Sequence, residues 1–291
     1  RAYSLLLSMA GFDEEFSQLY SHIVAGDLPA HRKITEKVLG MGLSPGAVVL
    51  SLGDGTGEPG VRIAKELPSA KVISTDASET MTAMAARSGT GLDNLTTLTV
   101  SADDGDLAAK CGLEEDSVDV VVLAFSLMFV PDKEKCLASV KALLKPGGHI
   151  IIVVLSKFGL IPCIGASMDA VLGQTPSPSP SPPGPTSPLS LSDPKILNTL
   201  VSSAGFVTTI SDESMRYHFP LGPTLEVTRP LSQALVKEPL TKMKAEGKED
   251  AFEVFVEAFM GACEANGWIK DNQCTLPEDE CCVRVLVARP Q

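Results

Sequence analysis

Short runs of apolar, mostly β-branched residues alternate with helical patterns along the middle of the chain. Five runs have the length of strands and end at turn residues: 47–52, 71–74, 95–100, 118–125 and 149–155. The segments between them place apolar residues three and four positions apart, as amphipathic helices do. Strands that alternate with helices are typical of βαβ units, so the pattern predicts an α/β fold built on a parallel sheet.

Two of these runs predict the centre of the sheet. Residues 120–123 and 150–155 are apolar at every position, which is expected for strands that are covered on both faces. The sequence Lys145-Pro146-Gly147-Gly148 precedes the second run. Proline cannot continue a helix and glycine takes the left-handed turn, so this sequence predicts the end of one helix and the entry into a strand.

A proline-rich stretch interrupts the rhythm in the second half of the chain. Residues 175–188 carry proline at seven positions, which favours extended polyproline geometry and predicts either a long loop inside one domain or an interdomain linker. Sheet-building patterns resume after it, because Ser192 and Asp193 open a helix and residues 206–210 read as a strand. We therefore favour the loop.

The last part of the chain predicts an amphipathic helix and a terminal strand. Apolar residues recur at three- and four-residue spacing over 248–268, and residues 282–288 form a final apolar run. The stripe of the helix is expected to pack on the core. The alternative is that part of it walls an apolar substrate pocket.

Charge and cysteine content narrow the class of protein. The 291 residues carry a formal net charge of -12, which disfavours nucleic acid and membrane surfaces, since both need clustered Lys and Arg. The seven cysteines show no CxxC pairing and no His-spaced pattern, so we expect reduced thiols and no metal site. We expect a cytoplasmic protein, or one of an organelle stroma or matrix if a targeting peptide was removed.

The strongest chemical signal is a glycine-rich turn between a strand and a helix. Residues 48–52 lead into Gly53-Asp54-Gly55-Thr56-Gly57-Glu58-Pro59-Gly60, and a helical pattern follows. Glycine lets a backbone approach a ligand and adopt positive φ, and the start of a helix offers free N–H groups. The next strand ends at Asp76, whose carboxylate can accept hydrogen bonds from both ribose hydroxyls of an adenosine. The pattern predicts a nucleotide-like cofactor.

Two cofactors fit the glycines. Gly55, Gly57 and Gly60 also spell GxGxxG, and Asp76 follows at about the distance that a dinucleotide site uses. An NAD-linked oxidoreductase therefore stays open on these residues alone.

Further landmarks carry a family resemblance. Residues 48–60 resemble motif I of class I S-adenosylmethionine (SAM)-dependent methyltransferases, and residues 101–107 resemble the acidic loop after their third strand. Residues 127–132 look like the segment after the fourth strand, and residues 143–148 like the turn before the fifth. The resemblance is strongest to small-molecule methyltransferases of the ubiquinone/menaquinone-biosynthesis type.

The resemblance implies a Rossmann-like α/β fold. Its seven-strand sheet has the order 3-2-1-4-5-7-6, with the last strand antiparallel, helices on both faces and a helical cap. A single methyltransferase domain over 1–291 is expected, divided into N-terminal lid helices (1–40), a SAM-binding core (41–156), a cap insertion (157–191) and a C-terminal part that completes the sheet and cap (192–291).

The resemblance also assigns the cofactor site position by position. It implies that Gly53, Gly55 and Gly57, with Asp54 and Thr56 in the same loop, approach the amino acid and sulfonium part of SAM. Asp76 is expected to bind the ribose. The other implied contacts are Ala77 and Met81 beside the adenine, Asp103 and the Asp104 N–H on its polar edge, and Phe125 and Ser126 beside the methyl group.

One position departs from the family pattern. The acidic residue that the family places in the first strand, two positions before the first glycine, is Ser51 in this chain. Asp54 adds a carboxylate inside the loop and is a candidate to compensate. A catalytically silent methyltransferase fold that binds a partner is the corresponding alternative function.

The methyl acceptor is expected to be a small, partly apolar molecule. Transfer to oxygen or carbon commonly needs a base, and His22 and His31 lie in the segment that the family folds over its site, so they are candidate general bases. The reaction would convert SAM to S-adenosylhomocysteine (SAH). We expect a monomer or a homodimer, with no nucleic-acid or membrane partner.

Overall fold

The computed structural model describes residues 28–175, 184–185, 187–222 and 224–291. The described chain divides into two compact units. The core unit contains residues 28–156, 191–215 and 283–291. The second unit contains the described residues of 157–190 and 216–282. Predictions for residues 1–27, including His22, and for most of the proline-rich stretch lie outside the described residues.

The core unit follows the predicted alternation of strands and helices. In chain order its elements up to the fifth strand are α1 (Pro29–Gly40), β1 (Val48–Leu52), α2 (Gly60–Glu66), β2 (Lys71–Asp76), α3 (Glu79–Ser88), β3 (Leu95–Thr99), α4 (Leu107–Cys111), β4 (Val118–Ala124), α5 (Lys133–Leu143) and β5 (Leu144–Phe158). Residues after the proline-rich stretch add α7 (Pro194–Ser203), β6 (Phe206–Arg216) and the terminal β10 (Cys281–Pro290). The five predicted strands, the helix after Asp193 and the terminal strand are confirmed.

The sheet has the predicted order. Its seven strands run β3-β2-β1-β4-β5-β10-β6, and the pairs from β3 to β5 are parallel. The N–H of Tyr217 donates to the carbonyl of Cys281 and the N–H of Gln291 to that of Gly205, so β10 runs antiparallel to β6. The expected fold class is confirmed. The parallel order brings the carboxyl ends of β1, β2 and β4 to one edge of the sheet, which is where ligands of open α/β sheets bind.

The two fully apolar runs form the centre of this sheet. The side chains of residues 120–123 and 150–154 are completely or almost completely buried. The predicted turn over 145–148 is present, with Gly147 at φ +83°. It lies inside β5 rather than before it, because Leu144 already pairs with Val118 and the register shifts before His149 pairs with Val120.

The second unit combines helices with a small antiparallel sheet. Its elements are α6 (Leu160–Leu172), β7 (Phe219–Gly222), α8 (Leu225–Ala234), α9 (Lys237–Ala245), α10 (Ala251–Ala265), β8 (Ile269–Lys270) and β9 (Gln273–Leu276), and its strands run β7-β9-β8. The amphipathic helix predicted over 248–268 is α10. Its apolar face packs against α6 and buries Phe255 and Phe259 completely.

The described helices include none that is long and apolar enough to cross a membrane. Helix α1 is the described part of the predicted lid segment, and it begins with Pro29 at the position where proline is tolerated. The division of the chain into lid, core and cap segments stays a prediction.

Candidate cofactor-binding site

The glycine-rich turn has the backbone that its sequence predicts. It joins the end of β1 to the start of α2, and Gly53, Gly55 and Gly57 all have positive φ, at +67°, +57° and +103°. Residues with a Cβ are sterically disfavoured at positive φ. The turn therefore depends on glycine at all three positions.

The three glycines of the turn differ in the space around them. A Cβ at Gly53 would lie 2.5 Å from the Cβ of Ser126, and a Cβ at Gly57 would lie 2.6 Å from a methyl carbon of Val61. A Cβ at Gly55 would meet no atom within 4 Å. Gly53 and Gly57 thus let neighbouring elements pack closely, and Gly55 presents bare backbone to open space.

Asp76 lies at the end of β2, as predicted, and its carboxylate faces the turn. One oxygen accepts a hydrogen bond from the Gly55 N–H and the other from the Ser78 N–H, both at 2.9 Å. The Ala77 N–H also interacts with this carboxylate. A carboxylate has about four acceptor positions, so it can still accept hydrogen bonds from a ligand. The side chain is 8% exposed, and its burial raises the pKa of the carboxyl group above its ordinary value.

The residues after Asp76 form the start of α3. Ser78 caps this helix by accepting a hydrogen bond from the Met81 N–H. Met81 is buried and Ala77 is exposed. Both lie within five residues of Asp76, which is compatible with the predicted adenine contacts.

The acidic loop after β3 is held by local hydrogen bonds. The Ser101 hydroxyl donates to the half-buried Asp103 carboxylate at 2.6 Å. The Asp104 carboxylate pairs with Lys110 at 2.6 Å, and this interaction lowers the pKa of Asp104. The Asp104 N–H donates to the Ser101 carbonyl at 3.1 Å, so an adenine nitrogen would have to share or displace that bond.

The end of β4 brings Phe125 beside His31. Phe125 has φ +56°, an uncommon conformation for a bulky side chain, and such strain concentrates at functional sites. Its ring contacts the His31 ring edge-on, with centroids 5.9 Å apart. His31 lies on α1 and is 4% exposed. Ser126 donates its hydroxyl hydrogen to the Leu52 carbonyl at 2.7 Å and so joins the ends of β4 and β1.

Asp54 points into the base of the turn. Its carboxylate accepts hydrogen bonds from the hydroxyls of Ser51 at 2.5 Å and Ser74 at 2.6 Å, and from the Gly60 N–H at 3.2 Å. Its side chain is 4% exposed. The desolvation that comes with burial raises the pKa of this carboxyl group, and the three hydrogen bonds oppose that shift. Its predicted direct role toward SAM stays a prediction.

The remaining predicted residues are placed as follows. Thr56 is buried in the turn. His149 pairs with Val120 in the sheet, and the exposed His218 lies 3.4 Å from Glu278 in the second unit. Neither histidine was a candidate base, and neither lies among the strand ends that carry the site.

Ser74 and Ser78 were not predicted as contributors to the site, and nor was the role of Gly60 within the predicted turn. Ser74 and Gly60 hold the Asp54 carboxylate, and Ser78 holds that of Asp76. A signal for Ser78 was present, because a serine just before a helical pattern is a preferred N-cap residue. The sequence carries no such signal for Ser74, since this residue lies within a strand and meets Asp54 only through the pairing of β1 with β2.

Within the described ranges, no group of three or more His, Cys, Asp or Glu side chains could hold a metal ion. All seven cysteines are free and buried.

The buried Asp54 makes stability depend on pH in a defined direction. A carboxyl group whose pKa is raised on folding binds its proton more tightly in the folded chain, so its contribution to stability is complete below about pH 3.8 and is lost as pH rises through the raised pKa. Asp54→Asn removes this titration. The melting temperature of wild type should exceed that of Asp54→Asn most at about pH 4, and this excess should shrink as the pH rises to about 7.

Circular dichroism melts of both proteins across this range measure the effect. Asp76 and Glu58 are the carboxylates that interact electrostatically with Asp54, and both are present in the two proteins. A difference that stays constant or grows with pH would contradict the expectation.

The comparisons with known proteins agree with this geometry. Residues 49–148 match a family described as a methyltransferase domain. The ubiquinone/menaquinone biosynthesis C-methyltransferase UbiE of Hydrogenovibrio crunogenus is 31% identical over 120 residues, which are 40% of this chain and 45% of that protein. The chain thus spans about half the length of the curated relatives it matches.

Two solved structures share the fold over most of the chain. The [4+2]-cyclase SpnF has a TM-score of 0.52 and 16% identity, covering 89% of this chain and 80% of its own. YcgJ from Bacillus subtilis has a TM-score of 0.50 and 12% identity, covering 90% and 98%. Residues 49–148 thus match a methyltransferase domain, and over 120 residues the chain is similar to UbiE.

Proposed function

We propose that this protein transfers a methyl group from SAM to a small-molecule acceptor. The observation that carries the proposal is the pairing of Asp76 with Gly55. The carboxylate can still accept hydrogen bonds from the ribose hydroxyls of an adenosine, and the glycine beside it leaves open space for the rest of the molecule. The match to a methyltransferase domain supports SAM over NAD.

The residues present fit this cofactor. Asp76 would hold the ribose, and the turn over 53–57 would lie along the amino acid part. When bound, SAM would supply a methyl group on a positively charged sulfur. An acceptor would attack that methyl carbon in line, and SAH would be the leaving group. The chain's contribution to such a step is alignment and exclusion of water, which together supply much of a rate enhancement without a covalent intermediate.

Phe125 and His31 are proposed to face the acceptor. Phe125 lies at the end of β4, where the resemblance places the methyl group, and its strained backbone holds its ring against His31. The edge-on pair offers an apolar ring surface and one group able to accept a proton. This combination suits a partly apolar acceptor that loses a proton as it is methylated.

A carbon acceptor is the candidate that the relatives support. UbiE is named a C-methyltransferase, and methylation at carbon or oxygen commonly needs a base. Incubating the protein with labelled SAM and a metabolite extract identifies the acceptor by the label it gains. Absence of labelled product, with SAM still bound, would favour the silent binding protein instead.

His31→Ala is expected to lower turnover about 100-fold, the lower end of general base catalysis. His149→Ala is the matched control, because His149 is a half-buried histidine of the same unit away from the site. Turnover of both variants is measured from about pH 6 to pH 9 with the acceptor found by the screen. An unchanged rate for His31→Ala over that range excludes the base role.

A further inference from the structure

The Asp54 carboxylate joins three segments of the chain at one point. Ser51 belongs to β1, Ser74 to β2, and Gly60 is the first residue of α2. All three donate hydrogen bonds to Asp54. The glycine-rich turn begins and ends among these segments, so one side chain fixes both of its ends.

Three backbone N–H groups of the same turn also donate hydrogen bonds. The Asp54 N–H donates to the Thr75 carbonyl at 2.8 Å, and the Gly57 N–H donates to the Asp54 carbonyl at 3.0 Å. The Gly55 N–H donates to Asp76. Asp54 therefore fixes the base of the turn, and Asp76 fixes the side that faces open space.

The surroundings of Asp54 favour a supporting role over a direct ligand contact. Its oxygens are occupied by three protein donors, and the side chain is 4% exposed. A side chain at position 60 would collide with the carboxylate, so glycine at this position is part of the same arrangement. A side chain held in this way acts on a cofactor through the shape of the turn.

We propose that Asp54 is a positioning residue that holds the glycine-rich turn in its cofactor-binding shape, in place of an acidic side chain at position 51. This proposal rests on the proposed SAM-dependent function. The carboxylate comes from the turn itself, and Ser51 is its hydrogen-bond donor. The departure at position 51 is thereby compensated within the chain, three residues further on.

Asp54→Ala tests the proposal. If the binding-competent turn is then populated to about a tenth, the dissociation constant for SAH rises about ten-fold. Isothermal titration calorimetry with SAH measures it. Hydrogen exchange of residues 54–60 should become faster in the same variant, while exchange of residues 149–155 stays unchanged. A general loss of stability would not produce this local pattern.

Asp119→Ala is the matched control. Asp119 also ties β1 to its surroundings, accepting hydrogen bonds from the Val48 N–H at 2.8 Å and from Lys145 at 2.7 Å, but at the opposite end of the strand. It should lose thermal stability and keep the wild-type affinity for SAH. Equal weakening of SAH binding by both variants would overturn the proposal.

A second variant covers the case in which Asp54→Ala does not fold. Ser74→Ala removes one donor to the carboxylate and is expected to weaken SAH binding about three-fold, which corresponds to a turn that is competent about a third of the time. Wild-type affinity and wild-type exchange in a folded variant overturn the proposal.

If the proposed SAM-dependent function is wrong, the results differ from those that would overturn the role of Asp54. In that case wild type itself does not bind SAH, and the exchange measurement, which needs no ligand, still decides whether Asp54 holds the turn.

Discussion

Asp76→Ala is expected to weaken the binding of SAH about a thousand-fold. Its carboxylate is proposed to accept hydrogen bonds from the two ribose hydroxyls, and hydrogen bonds to a charged group contribute about 1.5–3 kcal/mol each. Their loss, together with that of the Gly55 bond, amounts to about 4 kcal/mol, or about three decades in the dissociation constant. Calorimetry at high protein concentration measures the change.

Asp193→Ala is the control for this variant. Its carboxylate accepts the N–H two residues ahead, that of Lys195 at 2.8 Å, just as the Asp76 carboxylate accepts that of Ser78. It caps α7, a helix that carries no predicted site residue. The control should bind SAH normally. An Asp76→Ala protein that is folded and binds SAH within about five-fold of wild type would show that the ribose lies elsewhere.

Gly55→Ala is expected to abolish detectable SAH binding while the chain still folds. The added Cβ meets no protein atom, but it fills the open space on the side where the cofactor is proposed to lie. Positive φ makes alanine cost about 1–2 kcal/mol at this position. A drop of a few degrees in melting temperature should therefore accompany the loss of binding.

Gly112→Ala separates the backbone cost from the blocked site. Gly112 has φ +62°, close to the +57° of Gly55, and a Cβ there also meets nothing within 4 Å. It ends α4, away from the turn. Both variants should lose similar stability, and only Gly55→Ala should lose SAH. Normal SAH binding by Gly55→Ala would mean that this open space is not where the cofactor lies.

The parts of the fold that depend on local pattern were predictable from the sequence. Apolar runs located the strands of the main sheet, and Asp76 stood out because it ends the first strand after the glycine-rich turn and its helix. The strand order came from the family resemblance, because periodicity alone does not specify which strands are neighbours. The small sheet of the second unit was not predicted, since its strands have two to four residues and one contains Pro220.

The support of the site was less accessible to sequence reasoning. Asp54 was predicted to contact the ligand because it lies between two glycines. Two of the three residues that hold its carboxylate lie six and twenty positions away, and they meet it only in the folded chain. The ring contact between His31 and Phe125 likewise joins residues that are 94 positions apart in the sequence. Such contacts are set by strand pairing and helix packing, which a single sequence does not reveal.

Calorimetric titration of the wild-type protein with SAM, SAH and NAD distinguishes a SAM site from an NAD site. We expect SAM and SAH to bind with a stoichiometry of about one per chain and NAD not to bind, because the turn and Asp76 are proposed to form one adenosine site within the residues that match a methyltransferase domain. Binding of NAD without binding of SAM or SAH would contradict the proposed SAM-dependent function and favour an NAD-linked oxidoreductase.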